Sequence, residues 1–318
     1  MNKTIMKYHF YVRNILLTLT IICYVACSNA QQQKQVTEIS HPEFKLPEIP
    51  KYCTKISQRA EFLAMHWWDN FNFNDTTYIH IPKISEQAFV DFIDFQPNVA
   101  PEISNKSITL FLDRAIVNKK IFNYFIELAE KYLYDPNSAM RNEELYIPIL
   151  KYITTSPKID TDFKIRPTHL LTMAMKNRPG SMATDFTYTL SNEKTGRLHS
   201  IKSDYTIIFF NNPDCHDCKR VKDLFESSPV FSNLTKKKSP IKLVILGVYP
   251  DADIPLWLNA TYPDCIINAY DAGQAITKNE SYDLKAIPSL YLLDKDKKII
   301  LKDATIEIIE NYLQDKIK

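Results

Sequence analysis

Between Ser57 and Asn177 the apolar residues recur at helical spacing. Ile121, Phe122, Phe125, Leu128, Ala129, Tyr132 and Leu133 fall at intervals of one, three and four and so share one helix face. SEQAFVDFID opens another helix behind a Ser85 cap with Glu86 in its first turn, and RNEELYIPILKYI a third with Pro148 inside it. Beyond Arg178 the rhythm shortens. DFTYTL, YTIIFF, IKLVILGVY, SLYLLDKD and KKIILKD read as strands separated by helix-like stretches, and TIEIIENYLQDKI closes the chain with Ile306, Ile309, Leu313 and Ile317 on one side. Strands alternating with helices make an α/β unit. The expected organisation is a mainly α-helical domain over 53–177 and an α/β domain over 178–318, with RPGSMATDF as the punctuation between them.

The first fifty residues follow neither rhythm. Lys3, Lys7 and Arg13 precede an apolar run from Ile15 to Ala26, then small residues, then glutamines. That order is a secretory leader, and the run is shorter than the roughly 20 apolar residues of a membrane-spanning helix. Residues 1–30 are therefore read as a signal peptide or a lipoprotein signal. Ser28-Asn29-Ala30 suits an ordinary signal peptidase, whereas Tyr24-Val25-Ala26-Cys27 resembles a bacterial lipobox with an atypical Tyr, which makes Cys27 the candidate for lipidation. Residues 31–52, poor in apolar side chains and carrying three prolines, read as an extended tether.

A chain of 318 residues with a formal net charge of +2 offers no basic footprint for nucleic acid. With only 4 glycines there is no Gly-rich phosphate loop, and no cofactor is expected. Export changes the meaning of the six cysteines, because disulfides form and persist in an oxidising envelope. Cys23 and Cys27 belong to the leader. Of Cys53, Cys215, Cys218 and Cys265, only Cys215 and Cys218 are close in sequence.

FFNNPDCHDCKR places that pair after a buried strand and a turn, at the start of the helix KRVKDLFESS. A helix N-terminus favours a thiolate, the form that attacks a disulfide. Cys215 is the expected nucleophile and Cys218, one turn further in, the resolving thiol. Between them His216 favours a thiolate when protonated and Asp217 opposes it, as does Asp214, so the direction of exchange stays open. Ile287-Pro288 stands at the entrance of an apolar strand, where proline is tolerated or sits in a cis turn.

On these residues the segment from Arg178 to Lys318 resembles a thioredoxin-like domain of the TlpA type, found in bacterial envelopes. The resemblance implies a central mixed sheet flanked by helices, in the order strand, Cys-x-x-Cys helix, strand, helix, cis-proline strand and hairpin. It also implies a cis-proline loop at Ile287-Pro288 that lies against the cysteines and presents backbone to a substrate. The 73 residues between Cys215 and Pro288 match the TlpA-type habit of an inserted helical segment, here around PDADIPLWLNATYPDCIINAYDAGQ. Thioredoxins carry a buried acid six positions before the first cysteine; Phe209 stands there, so proton handling is unassigned. RAEFLAMHWWDNFNFNDTTYIH resembles a domain of unknown function that precedes thioredoxin-like domains in envelope proteins of Bacteroidota.

The favoured expectation is an exported thiol-disulfide oxidoreductase whose partners are envelope protein thiols or disulfides and a further redox protein, soluble in the periplasm or lipid-anchored. The alternative is an envelope binding or assembly protein in which the thioredoxin-like domain is a scaffold with an inert disulfide. Zinc needs four ligands, and the chain has no second Cys-x-x-Cys or close His pair, so no metal is expected. A peroxidase would want Thr or Ser where Asn212 stands. His66-Trp67-Trp68 reads as core, Lys236-Lys237-Lys238 as a solvated loop, and Cys53 and Cys265 as either a pair or two isolated thiols.

Overall fold

Trp68 gathers the helical half around itself. In the computed structural model, which describes residues 43–317, its ring stacks on Phe111 at 4.7 Å and meets Phe92 and Phe125 edge-on. The leader, including Cys27 and both processing sites, lies outside the described residues. The helices are α1 (Ile56–His66), α2 (Glu86–Phe95), α3 (Pro101–Ala115), α4 (Lys119–Ala129), α5 (Glu143–Thr155) and α6 (Thr161–Ala174). Trp67 and Trp68 are both buried, Trp67 Nε1 donating to the Ala88 carbonyl, so the aromatic pair is core. The α4 face runs as its spacing predicts, with Tyr132 the half-buried exception. Asn118 caps α4 by accepting from the Lys120 and Ile121 amides, and Asn142 caps α5 by accepting from Leu145.

Two local expectations are corrected here. Ser85 does not cap α2: its hydroxyl donates to the Tyr78 carbonyl, because the preceding turn brings that oxygen within 2.9 Å. The stretch read as a tether gives way to packed chain at Phe44, whose ring lies against Trp67 and Trp68. From Phe44 onward the chain is one compact unit.

The α/β half holds a seven-stranded mixed sheet in the order β2-β1-β5-β4-β3-β6-β7. Its strands are β1 (Thr187–Leu190), β2 (Thr195–Arg197), β3 (Tyr205–Phe210), β4 (Leu243–Tyr249), β5 (Ile266–Tyr270), β6 (Ser289–Leu293) and β7 (Ile299–Lys302). β3 runs parallel to β4 and antiparallel to β6, with Phe210 opposite Ser289. A strand covered on both faces reads as a continuous apolar run, and YTIIFF is one. Ile207 and Phe209 face α7 (His216–Ser227) and the closing helix, while Ile208 and Phe210 face Phe186, Tyr282 and Tyr291. The remaining helices are α8 (Pro229–Thr235), α9 (Ile254–Leu258), α10 (Ala275–Lys278) and α11 (Ile306–Ile317). The segment read as an inserted helix contributes α9 and also β5, which pairs in parallel with β4. Ile317, on the side shared with buried Ile306, Ile309 and Leu313, is the last residue of α11 and is exposed.

The chain between the halves seals one sheet edge. The Gly180 amide donates to the Ile299 carbonyl at 2.7 Å and the Ile299 amide to Ser181 at 2.8 Å, so β7 does not present a free edge there. Gly180, at φ +83°, adopts the left-handed turn that lets the chain do this.

Candidate redox site

Asn212, Asp214 and Cys215 form the turn that ends β3 and starts α7. The Asn212 side chain accepts from the Asp214 amide and its carbonyl from the Cys215 amide, which leaves Cys215 as the N-cap of α7. Its sulfur accepts the Cys218 amide at 3.1 Å, one of the N-H groups a helix start leaves unpaired. Cys215 and Cys218 are joined as a disulfide with Cα atoms 5.1 Å apart, within the ordinary span. Cys215 is half-buried and Cys218 fully buried.

The peptide bond Ile287-Pro288 is cis, and the Ile287 carbonyl oxygen lies 3.5 Å from Cys215 Sγ. The fold thus brings together Cys215, Cys218, Ile287 and Pro288. His216 and Asp217 are exposed on the first turn, with no side-chain hydrogen bond or ion pair among the described residues. Cys53 is buried and Cys265 half-buried, and each is a free thiol. Cys265 Sγ donates toward the Phe225 carbonyl, and burial pushes that thiol up.

Over 87% of its length this chain is 45% identical to a thioredoxin-like protein from Bacteroides caccae, covering 99% of that chain with a TM-score of 0.81. It belongs to this thioredoxin-like family. Residues 26–177 match the domain of unknown function DUF5106. The C-terminal domain of an uncharacterized Bacteroides fragilis protein is 40% identical over 43% of this chain and 98% of its own, with a TM-score of 0.41. A conserved Bacteroides fragilis protein of unknown function is 33% identical over the same shares, with the same score. No curated protein matches the chain.

Two groups of residues around this thioredoxin-like site have, Phe209 apart, no sequence signal of their own. The first lies behind the cysteines. Phe209 is fully buried against Phe225 of α7, so apolar packing occupies the place where thioredoxins carry an acid. Next to it, buried Asn211 donates to the Phe209 carbonyl and accepts from the Tyr262 hydroxyl at 2.7 Å. Lys222, four residues after Cys218 on α7, lies over the Tyr262 ring at 4.7 Å and is 8% exposed. Among the described residues its ammonium has no hydrogen-bond acceptor. Burial pulls its pKa down, against the pull of Asp223 and with the push of Lys219. Pro213, Lys219, Lys222 and Tyr262 border a cavity of about 310 Å³ beside the turn.

The second group lies under the cis-proline loop. Lys285 Nζ is 2.7 Å from Glu143 Oε1, 3.4 Å from Asp283 and 3.7 Å from Asp303; Lys302 Nζ is 2.7 Å from the other Glu143 oxygen. Arg141 donates to the Asp303 carbonyl at 2.6 Å, and Ser289 Oγ to its carboxylate at 3.1 Å. Burial would push the Glu143 carboxyl up, but Lys302 and Lys285 outweigh it and hold the group below its usual range. Burial raises Asp303 despite Arg141 and Lys285. A charged network this deep was invisible in the sequence because its members come from three separated segments.

Proposed function

We propose that this protein is a thiol-disulfide oxidoreductase of the TlpA type that works on proteins of the bacterial envelope. One observation carries the reading: a Cys-x-x-Cys disulfide at a helix N-terminus, its outer sulfur facing the carbonyl that precedes a cis-proline. In the reduced protein, the Cys215 thiolate attacks one sulfur of a partner disulfide. A Cys215–partner bond forms, and the other partner sulfur leaves as a thiolate. The Cys218 thiolate then attacks Cys215 Sγ, the internal disulfide re-forms and the second partner thiolate departs. The partner gains two electrons that the protein loses; run backward, the same steps oxidise a dithiol.

Ile287 and Pro288 would dock the partner's backbone, and His216 and Asp217, open to solvent on the first turn, would tune the thiolate. A leader ahead of residue 31 would deliver the protein to the envelope, with lipidation at Cys27 as the anchoring route. Equilibration against glutathione tests the chemistry. A potential in the range of exchange proteins, roughly −120 to −270 mV, is expected. A value well below about −300 mV would mark a structural staple and favour a scaffold instead.

A further inference from the structure

Among the described residues, no backbone–backbone hydrogen bond involves residues 283–287, the segment that leads into Pro288. The stretch facing Cys215 is therefore held by side chains. Lys285 is its anchor: the side chain is 9% exposed, and its ammonium lies 4.8 Å above the Tyr134 ring and 2.7 Å from Glu143. Both of those residues belong to the helical half. Glu143 also takes Lys302 from β7, whose ammonium donates to the carbonyls of Met173, Ala174 and Lys176 at the end of α6. One carboxylate in the first turn of α5 thus ties the loop, the sheet edge and the helical bundle at a single buried point.

A buried ion pair is a poor source of stability, because desolvation offsets its attraction, but it fixes register. Here the charges balance, with Glu143, Asp283 and Asp303 against Lys285, Lys302 and Arg141. We infer that the helical half is a brace for the cis-proline loop and that Glu143 is a positioning residue, holding Ile287 against the cysteine pair through Lys285. The inference rests on the proposed role of that loop as the docking edge. It also gives the domain of unknown function a task that needs no ligand of its own.

Two measurements test it on the full-length protein. The first is trypsin cleavage after Lys285, which under native conditions follows the population of the detached loop. Glu143→Gln should speed this cut about tenfold, while cleavage at exposed Lys236–Lys238 keeps its rate. An unchanged rate after Lys285 in a folded Glu143→Gln protein would overturn the brace. Should that variant fail to fold, Arg141→Met, which frees Asp303 from the helical half, provides the same comparison.

The second is disulfide exchange with two substrates. A disulfide-bonded peptide, which docks through backbone, should lose about tenfold in kcat/KM with Glu143→Gln, mainly through KM, while a small aromatic disulfide reacts at the unaltered rate. Equal losses on both would refute a positioning role. If the unaltered protein exchanges with neither, the oxidoreductase reading fails, and the trypsin comparison still decides whether the brace exists.

Discussion

Cys215 and Ile287 are 72 positions apart in the chain, yet the cysteine sulfur and the isoleucine carbonyl oxygen face each other at 3.5 Å. A substrate strand laid along Ile287 would bring its own disulfide to the half-buried sulfur and leave fully buried Cys218 behind it.

That asymmetry predicts unequal trapping. Cys218→Ala should accumulate covalent mixed disulfides visible on non-reducing gels, because nothing resolves the Cys215–partner bond. Cys215→Ala should accumulate far fewer. Equal trapping by both would remove the assignment of attack to Cys215.

Lys222 predicts an unusual gain. The Lys222 side chain is largely covered, and its ammonium, bordering a cavity over the Tyr262 ring, is partly desolvated with no acceptor among the described residues, so Lys222→Met should melt at or above the temperature of the unaltered protein. The effect depends on pH. The folded-state pKa lies below the ordinary 10.5, so the cost is complete at neutral pH and fades as pH rises through the folded value toward 10.5. Asp223, Lys219 and the Tyr262 ring face the group and are retained in the variant. Melting curves at pH 7 and pH 10 should show the gap closing; a lower melting temperature for Lys222→Met at pH 7 would contradict this account.

Glu143 has the opposite pH sense. Glu143→Gln leaves Lys285 and Lys302 without their shared carboxylate, a loss of about 3 kcal/mol for a broken buried pair. Because the folded-state pKa is held below the usual 4.5, this contribution is complete above that value and vanishes as pH falls through the folded one. Asp303, raised by burial, carries the reverse dependence, but it is present in both proteins, as are Asp283, Arg141 and Tyr134. Urea unfolding at pH 7 and pH 3.5 should show the difference shrinking.

Trp68 is the keystone of the helical core, at 2% exposure with rings of α2, α3 and α4 around it. Trp68→Ala should cost about 3–5 kcal/mol in chemical denaturation, the usual range for emptying a large aromatic site. A loss below 1 kcal/mol would show that the surrounding phenylalanines collapse into the space.

The sequence alone determined what depends on near neighbours. The change from helical spacing to short apolar runs set the two halves, the unbroken YTIIFF run marked the central strand, and Cys-His-Asp-Cys after an Asn-Pro-Asp turn marked a helix start. These features were legible because period, propensity and capping act within a few residues. Even so, Ser85 showed that a capping residue can be drawn away by an oxygen from an earlier turn, and β5 lay hidden in a stretch read as helical, because a short apolar run such as IINAY fits either element.

Only the tertiary structure decided which distant groups meet. Lys285 and Glu143 stand 142 positions apart and look in the sequence like any two surface charges. Lys222 reads as one more polar residue of α7 until Tyr262 is laid beneath it. A charge has the same local signature whether it is solvated or buried; what separates the two is the set of elements that close over it, and that set is chosen by packing across the whole chain.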